Sequence, residues 1–262
     1  MSKRFSRVLI TGASGGIGSA LALAIDAQGV GHMILVGRRI DPLNDLTGRL
    51  TCDVTTVIAD LSSKDGVAQV LAQAGETDLL VNCAGFGSFG PFAETDGGTQ
   101  ESMVMVNCYA PVALTRALLP KMVAAGRGCV VNVASGMSFQ PMPYMSTYAA
   151  SKAFLLHWSE GIAQELLGTG VTAVAVCPGT VHTGFAAAGA IPIDRITGVN
   201  LITVSVEEVV QDTLDAIERS RQVIAPGLGN RLATALGRIF PRWVVRWVLG
   251  RSMAREYRRV NG

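Results

Sequence analysis

Tyr148 and Lys152 stand four residues apart in the run Ser146-Thr147-Tyr148-Ala149-Ala150-Ser151-Lys152. Apolar residues at Ala149, Ala153, Leu156, Ala163 and Leu167 recur with a helical period, so the stretch reads as a helix carrying the phenol and the ammonium on one face. A positive charge beside a phenol favours phenolate and is expected to bring the Tyr148 pKa down from about 10 toward working pH. Such a pair is a general acid/base. Tyr144, the neighbouring candidate, has Tyr148 rather than a lysine four residues on and is read as part of a substrate wall.

The elements that must hold this pair follow from the alternation of short apolar runs with helical patterns. Residues 7–11, 32–37, 54–59, 78–82, 128–134, 171–177 and 222–225 read as strands, and 16–28, 64–74, 99–125, 147–167 and 206–220 as helices. This pattern predicts an α/β fold, a doubly wound parallel sheet of about seven strands with helices on both faces, Rossmann-like and in a single domain. Right-handed crossovers place the C-terminal ends of the strands along one edge, where ligands bind in such sheets.

At the first strand end, Val8-Leu9-Ile10 runs into Gly12-x-x-x-Gly16-x-Gly18 and then an Ala/Leu-rich helix. A turn of this kind, with Ser14 and Ile17 inside it, presents backbone N–H groups and a helix N-terminus to a pyrophosphate. Its spacing differs from GxGxxG, and glycine-rich strand–helix turns also serve packing. After the second strand comes Gly37-Arg38-Arg39, where an NAD-selective protein would carry an acid for the ribose 2′-OH. Glycine and arginines there favour a 2′-phosphate, which a guanidinium holds through two hydrogen bonds while stacking on adenine. Asp60, ending the third strand, is placed to accept from the adenine amine.

Asn82-Cys83-Ala84-Gly85 after the fourth strand and Pro178-Gly179-Thr180-Val181-His182-Thr183 after the sixth look like further cofactor loops. With Tyr148-xxx-Lys152 and the Thr11–Gly18 turn, they make the chain resemble a short-chain dehydrogenase/reductase of the compact type over roughly residues 5–225. The resemblance implies a tetrad of Asn107, Ser135, Tyr148 and Lys152. Ser135, with Ser138 as its rival, would hold the substrate oxygen, and Tyr148 would exchange a proton with it. Lys152 would lower the phenol pKa and bind the nicotinamide-ribose hydroxyls. Asn107 would anchor a water linking Lys152 to solvent; Pro111, four residues on, has no N–H to give the Asn107 carbonyl. Cofactor contacts are expected at Gly12, Ser14, Gly16, Ile17, Gly18, Arg38, Arg39, Asp60, Asn82, Ala84, Gly85, Pro178, Gly179, Val181 and Thr183. The expected activity is NADP(H)-dependent interconversion of a carbonyl and a secondary alcohol. A related isomerase or dehydratase, or a non-catalytic NADP(H)-binding sensor, remains open at this stage.

Phe86, Phe89, Phe92, Met137, Phe139, Met142, Met145 and Phe185 fall near the active-site loops and point to an apolar substrate pocket, with residues 186–201 as a lid. No His/Cys/Asp cluster has metal spacing. Five scattered cysteines in a chain of 262 residues, 49% hydrophobic and 16% charged, fit buried thiols in a reducing compartment. The leading residues 1–7 run directly into a strand, which leaves no room for a signal peptide and leads to the expectation of a cytoplasmic protein. A homo-oligomer is expected.

The net charge of +2 conceals an asymmetry, because residues 221–262 hold nine arginines and one acid, Glu256. Residues 226–262 form a basic amphipathic extension of the domain: Arg231, Arg238, Arg242 and Arg246 group on one side of a helical wheel, with Leu232, Leu236, Ile239, Phe240, Trp243 and Trp247 on the other. Pro241 is expected to start a second helix. The apolar side must be buried on the substrate rim, on a second subunit or on a membrane surface. No recognition motif accompanies the arginines, so they do not point to nucleic acid.

Overall fold

The computed structural model describes residues 5–185, 189, 191, 199–239 and 241–261. Its strands are β1 (Arg7–Thr11), β2 (His32–Gly37), β3 (Asp53–Ile58), β4 (Leu79–Asn82), β5 (Gly128–Val133), β6 (Val171–Val176) and β7 (Val223–Ile224). All pair in parallel, in the order β3-β2-β1-β4-β5-β6-β7. The order reverses between β1 and β4, so the crevice of a doubly wound sheet opens there, beyond the strands' C-terminal ends.

Both faces of the sheet are buried, and the strand period of two assigns alternate residues to opposite layers. Val8 and Ile10 of β1 join Met33, Leu35 and Val81 under α1 (Gly16–Asp26), α2 (Ile40–Thr47) and α7 (Val206–Glu218). Leu9, Ile34 and Leu80 face the other way, toward α3 (Lys64–Ala74), α5 (Ala110–Ala124) and α6 (Ser146–Glu165). Side-chain caps begin three helices outside the cleft: Ser63 accepts from the Gly66 N–H, Asp96 from Thr99 and Ser205 from Glu208.

Two features depart from the sequence expectation. Helix α2 was not foreseen, because it is only eight residues long and buries just Leu43 and Leu46, too little periodicity to register. The expected helix over 99–125 is divided into α4 (Gly97–Val104), a π-turn at Met105–Tyr109 and α5. Pro111 has no N–H to return to Asn107, and the Ala110 N–H reaches back five residues to the Met105 carbonyl. The span Gly97–Ala124 is long and apolar enough by length and composition to cross a membrane. Here Ala110, Leu114, Leu118 and Met122 are buried against the sheet.

The extension forms two helices, α8 (Leu228–Ile239) and α9 (Arg242–Asn261), with Pro241 at the start of the second. Asn230 on α8 is buried and donates from Nδ2 to the Cys177 carbonyl at 2.8 Å and to the Pro226 carbonyl at 3.0 Å, tying the extension to the end of β6.

Candidate functional site

A cleft of about 490 Å³ runs along the C-terminal edge of the sheet. At one end lies the glycine turn. Gly12 has φ +67°, and a Cβ there would sit 2.8 Å from the backbone of Ala84. At Gly18 a Cβ would run into the Gly12 carbonyl, and at Gly16 it would lie 2.6 Å from Thr183 Cγ2. The glycines thus let three loops converge where side chains would hold them apart. Thr11 fixes the same convergence, its hydroxyl accepting from the N–H groups of Cys83 and Ala84 at 3.1 Å each.

Beyond β2, Arg38 and Arg39 line the cleft and reach solvent, and Asp60 faces them from the end of β3. The Asp60 carboxylate accepts from the Ser62 N–H at 2.9 Å. That bond, with help from the Arg38 charge, keeps its pKa below the ordinary aspartate value. Gly37 serves packing as well as space, since a Cβ there would lie 3.1 Å from Ser14 Oγ and 3.3 Å from Leu43 Cδ1.

At the other end, Tyr148 and Lys152 project from the first turns of α6, and Ser135 follows β5. The Ser135 and Ser138 hydroxyls divide their duties. Ser138 Oγ accepts from the Ser135 N–H at 3.2 Å and donates to the Lys152 carbonyl at 3.0 Å, so it is consumed in holding the turn to α6. Ser135 Oγ accepts from the Met137 N–H at 3.1 Å and lines the cleft with Tyr148. Of the two serines, Ser135 is the one facing the reacting volume.

Lys152 Nζ is buried and donates to the Val133 carbonyl at 2.7 Å. Burial lowers its pKa to about 8, opposed by the nearby thiols of Cys83, Cys108 and Cys177. The Tyr148 phenol is pushed up to about 12 by burial, with a hydrogen bond to Ser135 pulling the other way. The expectation of a lowered phenol pKa is not met here: burial of the phenol raises it, and the Lys152 ammonium is turned to a backbone carbonyl.

Asn107, in the π-turn, is fully buried behind Gly85, where a Cβ would meet Lys152 Nζ at 3.0 Å and Asn107 Oδ1 at 3.1 Å. Its amide clamps the loop above it, accepting from the Phe86 N–H at 3.2 Å and donating to the Phe86 carbonyl at 3.0 Å and to Ser151 Oγ at 2.9 Å.

Gly12, Ser14, Gly16, Ile17, Gly18, Arg38, Arg39, Asp60, Ala84, Gly85, Pro178, Gly179, Val181 and Thr183 all line the one cleft with Ser135, Tyr148 and Lys152. Asn82 does not. Its Nδ2 donates to Asn132 Oδ1 at 2.8 Å and Thr115 Oγ1 at 3.3 Å, so the side chain belongs to the layer beneath α5 and α6. Being the last residue of β4, it obeys the strand alternation, and only Cys83 and its successors turn into the cleft.

The apolar end is built from Met103, Met142, Met145, Ile191 and Met253 around Tyr148, with Phe86, Phe89, Met137, Phe185 and Leu249 beside them. Of the aromatic set expected there, Phe139 instead packs with Leu156 and Ala175, and Phe92 is exposed. Tyr144 has φ 66° and packs its ring at a tilt against Phe89 and Tyr257, while Tyr257 donates to Glu94 at 2.5 Å. Most of the expected lid, residues 186–188, 190 and 192–198, lies outside the described residues. Sequence reasoning missed Asn230, Ala233, Thr234, Leu249 and Met253, which bring the extension to the cleft. Their only signal was an amphipathic pattern that demanded burial without naming a place.

Residues 6–190 match the short chain dehydrogenase family. A short chain dehydrogenase of Pseudocercospora fijiensis is 36% identical over 184 residues, covering 67% of this chain and 59% of that protein. A ketoacyl reductase of Nostoc is 31% identical over 250 residues, covering 91% of this chain and 86% of its own. A solved short-chain dehydrogenase from Sphingobium yanoikuyae in complex with NADPH superposes with a TM-score of 0.78 at 30% identity, covering 85% of this chain and 88% of its own. A seven-stranded parallel sheet, three converging loops and a Tyr-Lys pair beside a serine thus agree with the sequence match, and the chain belongs to the short-chain dehydrogenase/reductase family.

Proposed function

We propose that this oxidoreductase uses NADP(H) to interconvert a carbonyl and a secondary alcohol on a largely apolar substrate. The observation that carries the reading is a single cleft holding Arg38 at one end and Ser135, Tyr148 and Lys152 at the other. The cofactor fits what is present: the glycines let three loops close around one end of the cleft, and two arginines stand where an NAD-selective chain would place an acid. NADPH in the complex of the Sphingobium yanoikuyae relative supports the same choice. Arg38 and Arg39 would hold the 2′-phosphate, Asp60 the adenine side, and Lys152 the ribose hydroxyls near nicotinamide.

When bound, the cofactor supplies or takes the hydride. The chain itself handles the proton and the geometry. Ser135 holds the substrate oxygen and Tyr148 gives it the phenol proton in reduction, or takes it back in oxidation. At neutral pH the raised phenol pKa and the Lys152 value of about 8 keep both groups protonated, the pairing that donation to a carbonyl oxygen needs. Asn107 keeps the Gly85–Phe86 loop seated over Lys152. The methionine-rich wall around Tyr148 excludes water and favours an apolar substituent on the carbonyl carbon. The test is oxidation of NADPH, against NADH, across a panel of ketones, aldehydes, quinones and ketoacyl esters. No turnover with any member would remove the reading.

We also infer a homo-oligomer, supported by the exposed apolar side chains Val104, Val123 and Phe154, with Phe154 stacked on Trp158. A monomer by light scattering at micromolar concentration would refute it. Five cysteines without disulfides among them support a reducing compartment such as the cytoplasm, which fractionation of cells tests.

A further inference from the structure

The extension turns one side to the cleft and another to solvent. On α8, Asn230, Ala233 and Thr234 line the cleft. Leu228, Leu232, Leu236 and Ile239 are exposed, two of them to 77%. At 3.6 residues per turn these four occupy a sector of about 80°, pointing away from the cleft-lining three. Past Pro241, Trp243 and Trp247 are also exposed, at 66% and 57%. Leu201, also exposed, adjoins its start, since Gly229 packs directly on the Leu201 backbone. So much apolar surface on consecutive helices exceeds the scattered exposure of an ordinary soluble face.

Its charge decides what covers it. Glu256, the one acid beyond residue 220, is buried and pairs with Arg259 at 2.9 Å, and Arg231 pairs with Asp212. Among the described residues, Arg242, Arg246, Arg251, Arg255 and Arg258 make no ion pair, and Arg251 lies 4.0 Å over the Trp247 ring. A second copy meeting this surface through a two-fold axis would set arginines against arginines. An anionic bilayer offers phosphates to the arginines and a headgroup zone to the tryptophans.

We propose that helices α8 and α9 dock on an anionic lipid surface through the side turned away from the cleft. The docking stands independently of the reaction assigned above. The full chain is sedimented with phosphatidylcholine vesicles with and without phosphatidylglycerol. It should pellet with the anionic vesicles only, and raising salt from about 0.05 to about 0.5 M should release it as the Debye length shrinks. Removing an arginine charge at Arg242 or Arg246 should weaken partitioning roughly fivefold. The pair Trp243→Gln and Trp247→Gln, both exposed and outside the cleft lining, should weaken it further while leaving the circular dichroism melt in place. Failure of the intact chain to bind anionic vesicles overturns the proposal, as does binding that ignores these substitutions. If Leu232→Gln with Leu236→Gln instead lowers the molar mass in solution and vesicles are ignored, the surface belongs to a second copy.

Discussion

Replacing Lys152 with methionine tests the electrostatics of the site without emptying its space. In the native chain Lys152 is 3% exposed, and burial lowers its pKa from 10.5 to about 8. Keeping it charged at neutral pH therefore costs about 3 kcal/mol relative to a solvated lysine, the free-energy equivalent of that shift. Between about 8 and 10.5 the unfolded chain still holds a proton that the folded chain has released, so this group makes folding stability rise with pH across that window. From pH about 7 to about 9 the gain is about 1 kcal/mol, or roughly 2–4 °C in melting temperature for a chain of this size. Tyr148 contributes the opposite slope only above about 10, because its folded pKa is raised to about 12, so the assay stops short of that range. Urea titrations of the native chain and Lys152→Met at both pH values should diverge by this amount. The variant should also be the more stable at neutral pH. Parallel profiles for the two proteins would show that Lys152 is solvated in solution and would refute the argument.

Tyr148→Phe should lower turnover about thousandfold while NADPH affinity, read by fluorescence titration, stays within about twofold, because only the exchangeable proton is lost. Near-normal turnover would return the role to another group. Arg38→Ala should cost NADPH about 2 kcal/mol of binding, roughly thirtyfold, and leave NADH unchanged; equal losses for both would remove the 2′-phosphate contact. Met253→Ala, at a side chain 1% exposed and lining the cleft, should destabilise the fold by about 2–3 kcal/mol in urea and raise KM for apolar ketones. An unchanged KM would separate the extension from substrate binding.

The sheet, most of its covering helices and the Tyr148–Lys152 helix were legible because they rest on local periodicity, on glycines with a steric purpose and on an i, i+4 spacing that any helix honours. The glycine turn and the arginines after β2 could be located because each directly follows a strand that the local pattern marks, although the loops that the glycines admit, at Ala84 and Thr183, come from far along the chain. What depended on distant chain was not. Asn82 looked like a cleft residue until its partners Asn132 and Thr115 drew it beneath the helices. Ser135 and Ser138 could be ranked only when the Lys152 carbonyl claimed the Ser138 hydroxyl. The phenol pKa turned on how deeply Tyr148 is buried, and sequence spacing fixes a helix face but not a rotamer or the depth of burial. The amphipathic extension announced that it needed a partner. Only the tertiary packing of Met253 and Leu249 around Tyr148 decided that one side closes the cleft, because burial is a property of surfaces brought together from far along the chain.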